Sequence, residues 1–256
     1  MLNLLTKING LSWNHKIKIM QGLCFFGGPL IIFYHFNFAY LVLSFIAANL
    51  IVNLGIGLCY HRQFAHRSWK PRSSFVGAIF YFLGIICTMG PATNWCATHR
   101  LHHATADTDK DPHSPVGKPL WKKIAYWFNY WEKHQVNPKI IKDLLKNPVH
   151  KFVHKHYFKL LFTYIAILGI VDIELLLYGY IVTTMFILHF VSWITVGAHI
   201  WGHREHNTND KSLNTNVMGW FLWGEGYHNN HHADSSNYDF GRGKFDLGAR
   251  VIEYLV

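Results

Sequence analysis

Residues 19–60 read IMQGLCFFGGPLIIFYHFNFAYLVLSFIAANLIVNLGIGLCY, without a single Asp, Glu, Lys or Arg. A helix that crosses the hydrocarbon core of a bilayer needs about 20 apolar residues. Because the stretch has 42 residues, it predicts two membrane spans, at 19–35 and 38–60, joined by a tight turn around His35, Phe36 and Asn37.

A second apolar block covers residues 160–203 and has only two charged residues, Asp172 and Glu174. We interpret it as another hairpin, with helices at 157–171 and 175–199 and the two acids at the turn. The sequence therefore predicts an all-α integral membrane protein with four transmembrane helices in two hairpins.

The placement of basic residues predicts the orientation. All 24 Lys and Arg lie outside the two predicted turns, and basic residues favour the cytoplasmic side of a membrane. We therefore expect both termini and a helical cap to be cytoplasmic. Because this orientation requires an even number of crossings, the apolar stretch 75–91 is expected to dip into the membrane without crossing. The whole chain, 1–256, is expected to form one domain.

The composition agrees with a membrane protein. Half of the residues are hydrophobic and 15% are charged, whereas soluble domains carry about 25% charged residues. The net charge of +10 is not expected to serve nucleic-acid binding, because the long apolar runs do not suit a polar basic surface. The four cysteines form no CxxC pair, so neither a disulfide scaffold nor a thiolate zinc site is indicated. The first apolar run is too long for a signal peptide.

Histidine is the unusual residue, with 19 copies. Eight of them form three clusters on the side predicted to be cytoplasmic. The clusters are His61-Arg-Gln-Phe-Ala-His66, His99-Arg-Leu-His102-His103 and His228-Asn-Asn-His231-His232. Two HxxHH motifs in one chain are far more than random placement produces, so they predict a functional site.

The spacing of the clusters indicates metal binding. Residues i, i+3 and i+4 share one face of a helix, so each HxxHH is expected to aim three imidazoles into one volume. His61 and His66 would be about 140° apart on a regular α-helix, and we expect them to clasp the site from two sides. Eight imidazoles exceed what one ion binds, which predicts two ions. The ligand type alone leaves a redox iron pair and a hydrolytic zinc pair open.

The order HxxxxH, HxxHH, HxxHH on a four-span chain resembles the membrane fatty acid desaturases, most closely the bacterial and animal acyl-CoA desaturases of the stearoyl-CoA type. The likeness to bacterial members implies a bacterial inner membrane. The likeness extends to residues around the histidines. It includes Arg67-Ser68-Trp69-Lys70 after the first cluster, Asp111-Pro112-His113-Ser114 after the second and Gly224-Glu225-Gly226-Tyr227 before the third.

The resemblance implies an oxidoreductase that inserts a cis double bond into a saturated acyl chain, with acyl-CoA as substrate and the delta-9 position as target. It implies two Fe²⁺ ions, dioxygen and two electrons from a separate ferredoxin or small b-type cytochrome with its reductase, since 256 residues leave no room for a fused donor. Other implied partners are the acyl substrate and the lipid bilayer. The implied ligands are His61, His66, His99, His102, His103, His199, His228, His231 and His232. Of these, His199 corresponds to a ligand that the family places after the last span.

Two departures from the family pattern affect these expectations. Thr195 stands where stearoyl-type members often have an Asn that reaches one metal through water. Ala97 and Thr98 stand where members that bind coenzyme A carry an Arg-Asp pair, so another acyl carrier stays open. Acidic residues are expected to fix the imidazole tautomers. The candidates are Asp109, Asp111 and Glu225.

Three other functions could use histidine clusters in a membrane protein. A membrane di-iron hydroxylase of alkanes or lipids would share the histidine pattern but add oxygen to its substrate. A metal transporter would need ionisable groups at mid-membrane depth, whereas these clusters lie at span ends. A metallohydrolase would need a nucleophile or base motif, and the chain has no GxSxG, HExxH or P-loop.

Overall fold

A computed structural model describes residues 13–129 and 137–256. Within these ranges the chain forms helices joined by turns, without a β-strand. The α-helices are α1 (Trp13–Tyr34), α2 (Phe38–Val52), α3 (Ser74–Ile86), α4 (Ala92–Thr105), α5 (Leu120–Trp127), α6 (Lys142–Lys146), α7 (Pro148–Val171), α8 (Ile173–Leu176), α9 (Thr183–Thr195), α10 (Asn216–Phe221), α11 (His228–Ala233) and α12 (Leu247–Leu255). Two segments are π-helical: Asn53–Ala65 continues α2, and Leu177–Val182 joins α8 to α9. Turns of 3-10 helix occur at Pro138–Ile141 and Gly197–His199.

Three helical segments in the described ranges are long and apolar enough to cross a membrane. These are His15–Tyr34, Phe38–Ala65 and Ile173–His199. They coincide with three of the four predicted spans. The fourth, 157–171, falls on the C-terminal part of α7, which begins with a basic stretch and is not one of the three. The number of four spans and their orientation therefore stay predictions.

The two hairpin turns lie together at one end of the helix bundle. Asn37 caps α2 and Asp172 caps α8 with side-chain oxygens, which such residues do at helix N-termini. His35 Nε2 lies 2.5 Å from Glu174 Oε1 across the two turns. The opposite end of the long segment Phe38–Ala65 carries His61, so the turns and the histidines are at opposite ends.

Helix α3 lies against the π-helical segment Asn53–Ala65 at very close range. A Cβ atom at Gly84 would lie 2.3 Å from the Tyr60 ring, and one at Gly55 would lie 2.5 Å from the backbone of Leu83, so neither position has room for a side chain. With 13 residues, α3 is about 20 Å long, shorter than the roughly 30 Å hydrocarbon core. This length is compatible with a segment 75–91 that dips into the membrane without crossing, which stays a prediction.

The π-helical segment sets the positions of the first histidine pair. The His66 backbone N–H donates to His61 O at 3.0 Å, and this i to i+5 bond is the defining bond of a π-helix. The two imidazole centroids are 4.9 Å apart. The expected separation of about 140° is therefore wrong, because residues five apart on a π-helix lie close to the same side of its axis.

Candidate metal centre

The structure brings all nine predicted histidines into two adjoining groups. The five-histidine cluster contains His61, His66, His99, His103 and His231. The four-histidine cluster contains His102, His199, His228 and His232. Within each group the ligand atoms lie within 4.8 Å of one another. The rings of His103 and His232, one from each cluster, stack at 4.4 Å.

Each HxxHH motif divides between the two clusters, so the expectation that its three imidazoles enter one volume is wrong. Neighbouring residues on an α-helix point about 100° apart, and the last two histidines of each motif therefore diverge. The i and i+4 histidines enter one cluster and the i+3 histidine enters the other: His99 and His103 against His102 on α4, and His228 and His232 against His231 on α11.

The Nε2 atoms converge at distances that suit a metal ion. In the five-histidine cluster, His66 and His99 are 2.8 Å apart, and His231 lies 3.0 Å from both His61 and His103. In the four-histidine cluster the corresponding separations are 3.1, 3.1 and 3.3 Å. Two imidazoles that bind one ion at about 2.1 Å and at right angles have nitrogens about 3.0 Å apart. The residues present therefore fit two metal ions, although their role as ligands stays a prediction.

Burial keeps these imidazoles in the form that binds metal. It lowers the pKa well below the ordinary value for six of them, and repulsion from neighbouring histidines lowers it further. The six are His66, His99, His102, His103, His228 and His231. At neutral pH they are uncharged, as metal ligation requires.

Four of the nine histidines are fixed by carboxylates. The pairs are His61 with Glu225 at 2.6 Å, His102 with Asp111 at 2.8 Å, His199 with Asp107 at 3.0 Å and His232 with Asp210 at 3.0 Å, each through Nδ1. Burial raises the pKa of Asp107. Hydrogen bonds from His199, the Ser114 hydroxyl and the Lys211 backbone N–H outweigh burial and lower the pKa to about 2. A carboxylate only accepts, so Nδ1 donates and Nε2 is left with its lone pair toward the cluster. Facing lone pairs at 3 Å repel one another unless a cation lies between them.

The sequence identified two of these four acids. Asp111 and Glu225 were predicted, whereas Asp107 and Asp210 were missed because nothing in the spacing of the acidic residues distinguishes them. The predicted Asp109 is fully exposed, 3.9 Å from Lys118 Nζ, and contacts no clustered histidine in the described part of the chain. Thr195 donates to Val191 O and lines the cavity described below.

Arg62 connects the five-histidine cluster to the C-terminal part of the chain. The guanidinium is fully buried and donates to Glu225 Oε1 at 3.1 Å, which places it one carboxylate away from His61. It also pairs with Asp246 at 3.1 Å and lies 4.0 Å from the Phe240 ring. Its remaining N–H groups donate to the carbonyls of Trp223 and Tyr238, both at 2.7 Å.

An apolar cavity adjoins both clusters. Imidazoles of His61, His99, His102 and His228 form part of its wall, and side chains such as Ile56 and Phe190 form much of the rest. This lining is typical of small-ligand sites, which are mostly apolar with a few polar groups. A hydrocarbon chain in this cavity would lie directly against the histidines.

Apolar helices, two histidine clusters and an adjoining apolar cavity define a helical membrane protein with a histidine-rich centre. The chain belongs to the fatty acid desaturase family, because the family model described as "Fatty acid desaturase" matches residues 35–236. The matched range contains all nine clustered histidines.

Individual relatives specify the similarity further. The chain is 30% identical to Delta-9 acyl-lipid desaturase 1 of Arabidopsis thaliana, over 79% of this chain and 68% of that protein. It is 29% identical to the sn-1 stearoyl-lipid 9-desaturase of Anabaena variabilis, over 70% and 66% of the two chains. It is 28% identical to the chloroplastic palmitoyl-monogalactosyldiacylglycerol delta-7 desaturase of Arabidopsis thaliana, over 79% and 56%.

Proposed function

We propose that the protein is a membrane fatty acyl desaturase that inserts a cis double bond into a saturated acyl chain at a di-iron site. The observation that supports it most directly is the convergence of nine imidazoles on two adjoining positions in the wall of an apolar cavity. Such a site places a metal pair beside a hydrocarbon chain, as oxidation of an unactivated methylene group requires.

The overall reaction is balanced by its co-substrates. The two hydrogens that leave neighbouring methylene groups combine with dioxygen, two electrons and two protons to form two molecules of water, and a carbon–carbon double bond remains. No side chain removes hydrogen from such a group, and iron, when bound, supplies the activation of dioxygen for this purpose.

The protein's own residues position and shield the reaction. The carboxylates of Glu225, Asp107, Asp111 and Asp210 hold their histidines in one tautomer and orientation. The apolar cavity wall orients the acyl chain and excludes water from it. Thr195 lies in that wall, where its hydroxyl can hold a water molecule in place of the amide found in stearoyl-type members.

We propose a glycerolipid-bound acyl chain as the substrate and the delta-9 position as the target. The names of two of the relatives specify acyl-lipid or stearoyl-lipid substrates and the 9 position, and the Arg-Asp pair that accompanies coenzyme A binding is replaced by Ala97 and Thr98. Purified protein supplied with stearoyl phospholipid in vesicles, or with stearoyl-CoA, would distinguish the two carriers. Faster desaturation of stearoyl-CoA would contradict this choice and restore the acyl-CoA expectation.

We also propose four membrane spans in one domain, with both termini and the histidine clusters cytoplasmic, in a bacterial inner membrane. The meeting of the two hairpin turns at the end opposite His61 supports this arrangement. A topology reporter fused after residue 36 or 173 should be extracytoplasmic, and one after residue 110 cytoplasmic. A cytoplasmic signal at either turn would contradict the arrangement.

The function is tested by expression in a host that makes no unsaturated fatty acids, followed by fatty-acid analysis that locates the double bond. The unaltered protein and Asp109→Asn should both yield monounsaturated chains, since Asp109 is exposed, and His231→Ala should yield none. A hydroxylated product would instead support the di-iron hydroxylase. Full activity of His231→Ala would exclude the proposed site.

A further inference from the structure

The carboxylates that fix the histidines are unevenly distributed between the two clusters. In the ranges 13–129 and 137–256, three of the four histidines in the four-histidine cluster donate to an aspartate. Among the described residues, only His61 of the five-histidine cluster has such a partner, Glu225. Each cluster also contains one buried Nδ1 atom without a hydrogen-bond partner in the described part of the chain, in His228 for the four-histidine cluster and in His231 for the five-histidine cluster.

The charges that compensate these acids differ as well. Glu225 accepts a hydrogen bond from the Arg62 guanidinium, so its negative charge is shared with a cation. The three aspartates of the four-histidine cluster accept only from neutral donors besides their histidines, within the described residues. These donors are the Ser114 hydroxyl and the Lys211 backbone N–H for Asp107, the Asp107 and His113 backbone N–H groups for Asp111, and Ser212 and Thr208 for Asp210.

Both differences act in the same direction on a bound cation. An imidazole whose Nδ1–H donates to a carboxylate is a more basic ligand through Nε2, and it is held in the correct orientation before metal binds. Three acids without a cationic partner also make the surroundings of the four-histidine cluster more negative. On the basis of the proposed di-metal function, we infer that the two metal positions are inequivalent and that the four-histidine cluster binds its ion first and more tightly.

The inference is tested by metal titration of the full-length protein in detergent, after chelation of its metal without oxygen. Fe²⁺ is added against a competing chelator, and binding of each equivalent is followed. Two phases are expected, the first tighter by at least about tenfold, because carboxylate partners change metal affinity by about 10–100-fold.

Two acid-to-amide variants assign the phases to the clusters. Asp210→Asn should weaken the first phase by about 10–100-fold and leave the second within about threefold, and Glu225→Gln should affect the second phase instead. Asp109→Asn is the matched control, because this exposed aspartate contacts no clustered histidine in the described ranges, and it should change neither phase. If Asp210→Asn fails to fold, Asp107→Asn provides the same test through His199.

Each other outcome has a definite meaning. The inference is wrong if Glu225→Gln weakens the first phase, if Asp210→Asn weakens the second, or if both equivalents bind in one phase. Binding of fewer than two ions by the unaltered protein contradicts the proposed di-metal site as well, and the stoichiometry distinguishes this failure from a reversed order of binding.

Discussion

Replacement of Arg62 is expected to lower the free energy of unfolding more than replacement of any exposed arginine does. Four acceptors surround its guanidinium, two of them buried carboxylates. Arg62→Ala leaves Glu225 and Asp246 without their cation, and removal of one partner from a buried ion pair costs about 3–5 kcal/mol. Arg62→Lys keeps the charge but supplies three donors for four acceptors, and one unsatisfied buried acceptor costs about 1–3 kcal/mol.

The free energy of unfolding would be measured by denaturant titration in mixed micelles, with helical circular dichroism as the signal. A chelator must be present, because bound metal stabilises the folded state by mass action. Arg250→Ala is the control, since Arg250 is about half exposed and pairs with Glu253 on the surface, where such pairs contribute about 0–1 kcal/mol. A cost below about 1 kcal/mol for Arg62→Ala, or an equal cost for Arg250→Ala, would refute the reasoning.

Three further predictions concern the site, acid stability and the electron donor. His199→Ala should abolish desaturation and reduce iron from about two to about one per chain, because it removes one of the four ligands of its cluster; unchanged iron content would exclude His199 as a ligand. Burial raises the pKa of Asp143, but hydrogen bonds from its two arginine partners outweigh burial and lower the pKa well below the usual value. Its stabilising contribution is therefore complete above about pH 4 and is lost as the pH falls further, so the unfolding midpoint between pH 6 and 3 should depend less on pH in Asp143→Asn, and equal profiles would contradict this. If an acidic carrier docks on α5, charge reversal at Lys122 and Lys123 and added salt should both slow electron delivery, whereas a rate insensitive to both would assign these lysines to the membrane surface.

Much of the architecture follows from hydropathy and charge alone. Long uncharged runs predicted three helices that have the length and apolarity of membrane spans. Such runs are easily recognised because charged residues are costly in a bilayer and are therefore rare in spans. The fourth predicted span, 157–171, lies in α7, which starts with Lys151, Lys155 and Lys159 and is not among the three, so this span stays a prediction. The two turns were located correctly because polar and helix-capping residues interrupt the apolar runs there.

The sequence predicted which histidines come together, but it did not predict how they are arranged. Histidine spacing and the family pattern identified nine residues that the structure brings together. The π-helical turn between His61 and His66 was missed because nothing in the local sequence distinguishes an i to i+5 bond from the regular one. Asp107 and Asp210 were missed for another reason. They reach His199 and His232 through the folding of loops, which depends on the whole chain.

The division of each HxxHH motif between two clusters has a consequence for how the protein keeps its two candidate metal positions apart. Helices α4 and α11 each supply histidines to both clusters, so the backbone geometry of a single helical turn fixes the distance between the clusters. The spacing cannot widen unless a helix unwinds, and it needs no side chain that bridges the two positions. A one-residue insertion inside either motif would therefore misplace histidines of both clusters at once.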